Sequence, residues 1–123
     1  MSTLAKVLVG WVGISHLGFL ILEMFFWTTP QGRKIFRTTQ EFANASSALA
    51  ANQGLYNGFL SAGLFYGLMT HDPQVQYTFQ LFFLICVIIA GVYGAWSVNR
   101  RIFVIQALPG ILALIAVLVT RPV

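Results

Sequence analysis

The apolar run from Gly10 to Trp27, GWVGISHLGFLILEMFFW, holds one histidine, one carboxylate and no other charged group. It outlasts the about 7 to 15 apolar residues of a signal-peptide core and closes on aromatic residues without a small-residue cleavage pattern. The expected element is a retained membrane helix, Leu4 to Trp27. His16 and Glu23 stand seven positions apart, which places them on one helix face, roughly 10.5 Å apart along the axis. An ionisable group in a lipid-embedded helix is expensive and normally faces the protein interior or a wet cavity. The two residues therefore mark where a site should lie.

Composition agrees with a membrane setting. A soluble domain carries about 25% charged residues, whereas this chain of 123 residues is 8% charged and 58% hydrophobic. That leaves too little polar surface to coat a water-soluble globule. The formal charge of +4 does not point to nucleic acid, because five of the seven basic residues (Arg33, Lys34, Arg37, Arg100 and Arg101) sit beside helix ends, where they orient the chain. Cys86 is alone and forms no intramolecular disulfide. No zinc-type clustering occurs, and His71 with Asp72 in one turn offers too few ligands, so no metal and no cofactor is expected.

A hydrocarbon core of about 30 Å needs roughly 17 to 25 residues per helix, and residues 4–27, 54–70, 75–97 and 102–120 meet that length. The expected fold is all-α, a single four-helix transmembrane bundle over residues 1–123 with a short helix in the first loop. Pro30 and Gly32 should end the first helix. Thr38-Thr39-Gln40-Glu41 fits a capping box, and the alanine-rich run after Glu41 should be the short helix. The loops holding Arg33, Lys34 and Arg37, and Arg100 and Arg101, fall on one side. The positive-inside rule assigns that side to the cytoplasm, which puts both termini outside a multi-pass protein of the plasma (inner) membrane.

Counting inward from the cytoplasmic ends brings Glu23 level with Tyr56 and Asn57 on the second helix, Tyr93 on the third and Gln106 on the fourth. Gln53, Asn57 and Ser61 follow at four-residue spacing and form a polar stripe, the best partner for the face of His16 and Glu23. Gly54, Gly58 and Ala62 make a small-residue ridge suited to close helix approach in lipid, and Gly91 and Ala95 repeat it. Pro109-Gly110 should kink the last helix just beyond Gln106. The candidate polar site is His16, Glu23, Gln53, Tyr56, Asn57, Tyr93 and Gln106.

Two stretches, HLGFLILEMFFWTTPQGRKIF (residues 16–36) and ANQGLYNGFLSAGL (residues 51–64), resemble the DUF1304 family of small bacterial membrane proteins. That family's pattern includes a His, a Glu-Met-Phe-x-Trp segment, a basic Gly-Arg-Lys turn and an Asn-Gln-Gly-x-Tyr-Asn-Gly motif. His16, Glu23, Met24, Phe25, Trp27, Gly32, Arg33, Lys34, Asn52, Gln53, Gly54, Tyr56, Asn57 and Gly58 occupy those positions. The second half of the chain is similar mainly in length and hydropathy. The resemblance implies membrane class and topology and supplies no reaction.

Glu23 has two readings, an interhelical fastening bonded to Gln53 or Asn57, or a carboxylate that binds a proton or cation. His16 likewise reads as a functional group or as a neutral histidine bonded to Ser61. The leading expectation is binding or transport of a small solute, proton-coupled or not, with Glu23 as the exchanging group. An intramembrane isomerase or cyclase would instead use Glu23 and His16 as acid and base on a lipophilic substrate. A structural or partner-binding subunit would need neither to titrate. The expected partners are the lipid bilayer and a small-molecule or lipophilic ligand; a second copy of the chain is compatible with any of these readings, and nucleic acid is excluded.

Overall fold

The computed structural model describes residues 1–122, which contain helices and no strand. Five α-helices follow in order: α1 (Thr3–Phe25), α2 (Pro30–Phe36), α3 (Gln40–Met69), α4 (Pro73–Ser97) and α5 (Leu108–Val119). A π-helical segment, Phe103–Ala107, leads directly into α5. Helices α1 and α4 are long and apolar enough to cross a membrane, with mean hydropathies of 1.8 and 2.1 over their most apolar windows. The run Phe103–Val119 is apolar but shorter. In α3 the length is ample, but glutamine, asparagine and serine make its first half polar.

The first loop differs from expectation. Helix α1 stops at Phe25, and the Thr29 N–H turns back to the Phe26 carbonyl at 3.2 Å. Thr29 then caps α2, its Oγ1 accepting from the Gly32 N–H at 3.1 Å. Pro30 occupies the first turn, where a missing N–H leaves no bond unmade. The short helix of this loop is therefore α2, begun by the Pro30 segment that was expected only to end α1. It closes at Arg37 in the left-handed region, φ 56° and ψ 48°, with the Arg37 N–H bonded to the Arg33 carbonyl.

The alanine-rich run after Glu41 is not a separate element. No Gly or Pro interrupts residues 40–53, and alanine is the strongest helix former, so the run continues into the expected second span as the 30-residue α3. Its cap also lies one residue later than expected. Thr39 Oγ1 accepts from the Phe42 N–H at 3.1 Å, leaving Glu41 one position short of the site a capping box needs.

Near Pro109 the helix widens instead of simply kinking. The proline ring has no N–H and crowds the carbonyl four residues earlier. The ladder lengthens just before it, with the Leu108 N–H bonded to the Phe103 carbonyl five residues back. Gln106 thus sits inside the disturbed turn.

Packing divides the chain into two units, Met1–Ile14 with Leu60–Val123, and Ser15–Phe59. In the first, Ala5, Val9, Val12, Leu64, Leu84, Val87, Ala113 and Val117 form the buried core. Helix α4 runs along the π segment and α5. A Cβ on Gly91 would come within 2.6 Å of the Ala107 amide nitrogen, so only glycine allows this approach.

In the second unit the end of α1 lies against the middle of α3. A Cβ on Gly54 would meet Met24 Cγ at 2.9 Å, Glu23 Cβ at 3.1 Å and the Leu20 carbonyl oxygen at 3.2 Å. One on Gly58 would meet Leu20 Cδ1 at 2.5 Å. Gly54 and Gly58 of the small-residue ridge are thus where the α3 backbone lies against α1, whereas Ala62, the third residue of the ridge, is exposed. The Trp27 ring leans on Phe36, with centroids 4.7 Å apart, and donates its Nε1–H to Ser46 Oγ at 3.1 Å.

Candidate functional site

Glu23 stands in the last turn of α1 and is 3% exposed. Each carboxyl oxygen has its own donor on α3. Gln53 Nε2 donates to Oε2 at 2.6 Å, and Asn57 Nδ2 donates to Oε1 at 2.5 Å. Gln53 and Asn57 are one helical turn apart, so both amides point toward the same neighbour. Gly54 lies between them in sequence, and its missing side chain lets the carboxyl come within reach. Gln53 is itself exposed and Asn57 half-buried, so the Gln53 side chain reaches a buried group from the protein surface.

The donors matter chemically because both are neutral amides. They give each carboxyl oxygen a hydrogen-bond partner without balancing a negative charge. Among the described residues no group of three or more His, Cys, Asp and Glu side chains is placed to hold a metal, so the donor set is one carboxylate and two carboxamides.

The remaining candidates lie elsewhere on their helices. His16, 1% exposed, is deeper along α1, its ring edge-on to Phe19 with centroids 5.1 Å apart. The Ser61 hydroxyl donates to the Gly13 carbonyl at 2.8 Å. Tyr56 is 57% exposed beside Phe59, and Tyr93 is 64% exposed beside Trp96. Gln106 is half-buried in the π-helical turn. Tyr93 and Gln106 belong to the first unit, and Glu23, Gln53, Tyr56, Asn57 and His16 to the second.

One further buried polar residue lies outside the polar site expected from the sequence. Gln80 on α4 is 0% exposed; its Nε2 donates to the Leu64 carbonyl at 3.3 Å, and its Oε1 has no partner. Its sequence signal was a single amide within FQLFFLICVIIAG, a setting where an isolated polar residue must face protein or be wasted on lipid.

Residues 10–118 match the family described as protein of unknown function (DUF1304). The chain is also similar to an uncharacterized protein, YpaA, of Lactococcus lactis subsp. lactis (strain IL1403). The two are 30% identical over 118 residues, covering 94% of this chain and 98% of that protein. No solved structure matches.

Proposed function

The chain belongs to the DUF1304 family, and from that premise we propose that it is a four-span protein of the inner membrane that binds or moves a small solute, with Glu23 as the exchanging group. Its basic loops face the cytoplasm and its termini face outward. Support for the membrane setting comes from α1 and α4, where large apolar residues such as Trp11, Ile14, Ile21, Phe82, Ile89 and Trp96 stand exposed. A surface of that kind suits lipid.

The observation that carries the reading is the neutrality of both partners of a buried carboxyl. Two helices can be fastened by a serine or an amide at lower cost, since a charge taken out of water is expensive unless balanced. A carboxyl held by amides alone is a place where positive charge, a proton or a cation, can be taken up and given back. Because a bound ligand stabilises the native state, the test is a thermal-stability panel on purified wild-type and Glu23→Gln protein with sodium, potassium and methylammonium chlorides and across pH. The proposal expects at least one response that the substitution abolishes. A panel identical in the two proteins would leave Glu23 as a fastening only.

A further inference from the structure

We propose that the positive charge taken at Glu23 is a bare monovalent cation of alkali-metal size, with Na+ as its representative. It is held by the Glu23 carboxylate together with the side-chain oxygens of Gln53 and Asn57. This rests on the exchange role proposed for Glu23 and adds what is exchanged.

A carboxamide carries a donor and an acceptor of nearly equal size on one planar group, and its terminal torsion is broad and roughly two-fold. A half turn at Gln53 and Asn57 replaces the two N–H donors now on the carboxyl by two oxygens, with no change in volume. The same three side chains then present oxygen ligands only, the donor type that suits hard cations and not thiolate- or imidazole-seeking metals. One state of the site is a carboxylate held by two donors. The other is a cation held by the carboxylate and two acceptors. A proton on Glu23 would ask only one amide to turn, whereas separate amides on separate oxygens fit an ion lying between them.

Charge and space narrow the ligand. One carboxylate balances one positive charge, and a divalent ion would leave a net charge in a buried site, which is costly. The helices are in contact on both sides of Asn57, through Gly54 against Met24, Glu23 and Leu20 and through Gly58 against Leu20. An organic ammonium would have to part them to seat its substituents; a bare ion asks only that the two amide groups, now 2.5 and 2.6 Å from the carboxyl oxygens, draw back far enough to admit it. Entry does not require the helices to separate. Gln53 is exposed while Glu23 is buried, so a swing of the Gln53 side chain uncovers the carboxyl.

The test is an infrared difference spectrum of the reconstituted protein as NaCl replaces N-methylglucamine chloride at fixed pH and ionic strength. The expected result is a saturable change in the Glu23 carboxylate bands and in side-chain amide carbonyl bands, absent in Glu23→Gln. Because Gln53 is exposed, Gln53→Ala should fold normally and, with one of the two amide ligands lost, raise the half-saturating Na+ concentration by at least roughly tenfold, the effect that loss of even an outer partner has at metal sites. A Glu23-dependent response to pH or methylammonium with none to Na+ would overturn the alkali-cation assignment and leave the exchange role standing. A Na+ response that persists in Glu23→Gln would overturn the assignment by placing the ion elsewhere. Silence to all three in the wild type would remove the assignment and the exchange role together.

Discussion

Glu23 and Asn57 are 34 positions apart in the chain, and their side chains meet at 2.5 Å between α1 and α3. Gly54 and Gly58 make this possible. A side chain at Gly54 would meet the Leu20 carbonyl oxygen, which is backbone, and push α3 away from α1, and one at Gly58 would displace the Leu20 side chain; with α3 further off, a short asparagine would no longer reach the carboxyl. The small-residue ridge and the polar cluster are thus one device, in which close backbone approach is the condition for the hydrogen bonds.

The Glu23–Asn57 pair should be energetically coupled. In a double-mutant cycle of Glu23→Gln with Asn57→Ala, measured by reversible unfolding in detergent or bicelles, the coupling should be about 0.6 kcal/mol and at most about 1.7 kcal/mol, the span found for interhelical bonds in a membrane protein. Strict additivity would mean that the bond contributes nothing.

Two glycines should respond in opposite directions. Gly54→Ala places a methyl group within 3.2 Å of the Leu20 carbonyl oxygen, which is backbone and cannot rotate away, so a loss of about 1 to 3 kcal/mol is expected for overpacking. Gly18 on α1 has nothing within 4 Å of such a methyl, and Gly18→Ala should be neutral or stabilising by up to about 1 kcal/mol from helix propensity. Equal effects at the two positions would contradict the α1–α3 contact.

Gln80→Leu should be tolerated. The substitution gives up a long 3.3 Å hydrogen bond to Leu64 but also removes a buried acceptor with no partner. Leaving such a group unsatisfied costs about 1 to 3 kcal/mol, more than a typical bond contributes. The thermal midpoint of Gln80→Leu should equal or exceed that of the wild type, and a fall of several degrees would mean that Oε1 is engaged.

Topology can be read by cysteine labelling on a Cys86→Ala background. Ile35 and His71 are exposed positions in the first and second loops, and neither carries a lysine or arginine charge. With the basic loops cytoplasmic, an impermeant maleimide applied to intact cells should label His71→Cys and spare Ile35→Cys. The reverse pattern would invert the orientation.

Much of the helical content is visible in hydropathy and chain punctuation, and four-residue spacing places Gln53 and Asn57 on one face of α3. Depth counting was less informative, because it gives a residue's level along a helix but not its rotation about the axis. Tyr56 and Tyr93 share the level assigned to Glu23, yet they stand well exposed. The first loop departs from expectation because proline, a helix terminator, is equally at home in a first turn behind a capping threonine. The widened turn around Gln106 was not legible, since Pro109 announces a disturbed ladder without saying on which residues the extra bond length will fall.

Uptake and release of positive charge at Glu23 would appear as charge movement. Proteoliposomes adsorbed on a solid-supported membrane would be exposed to rapid jumps in pH and in Na+ concentration. A transient current is expected in the wild type, with none in Glu23→Gln protein whose thermal unfolding shows it to be folded. Wild-type currents that persist unchanged in Glu23→Gln, or a wild type electrically silent to both jumps, would contradict that role for Glu23.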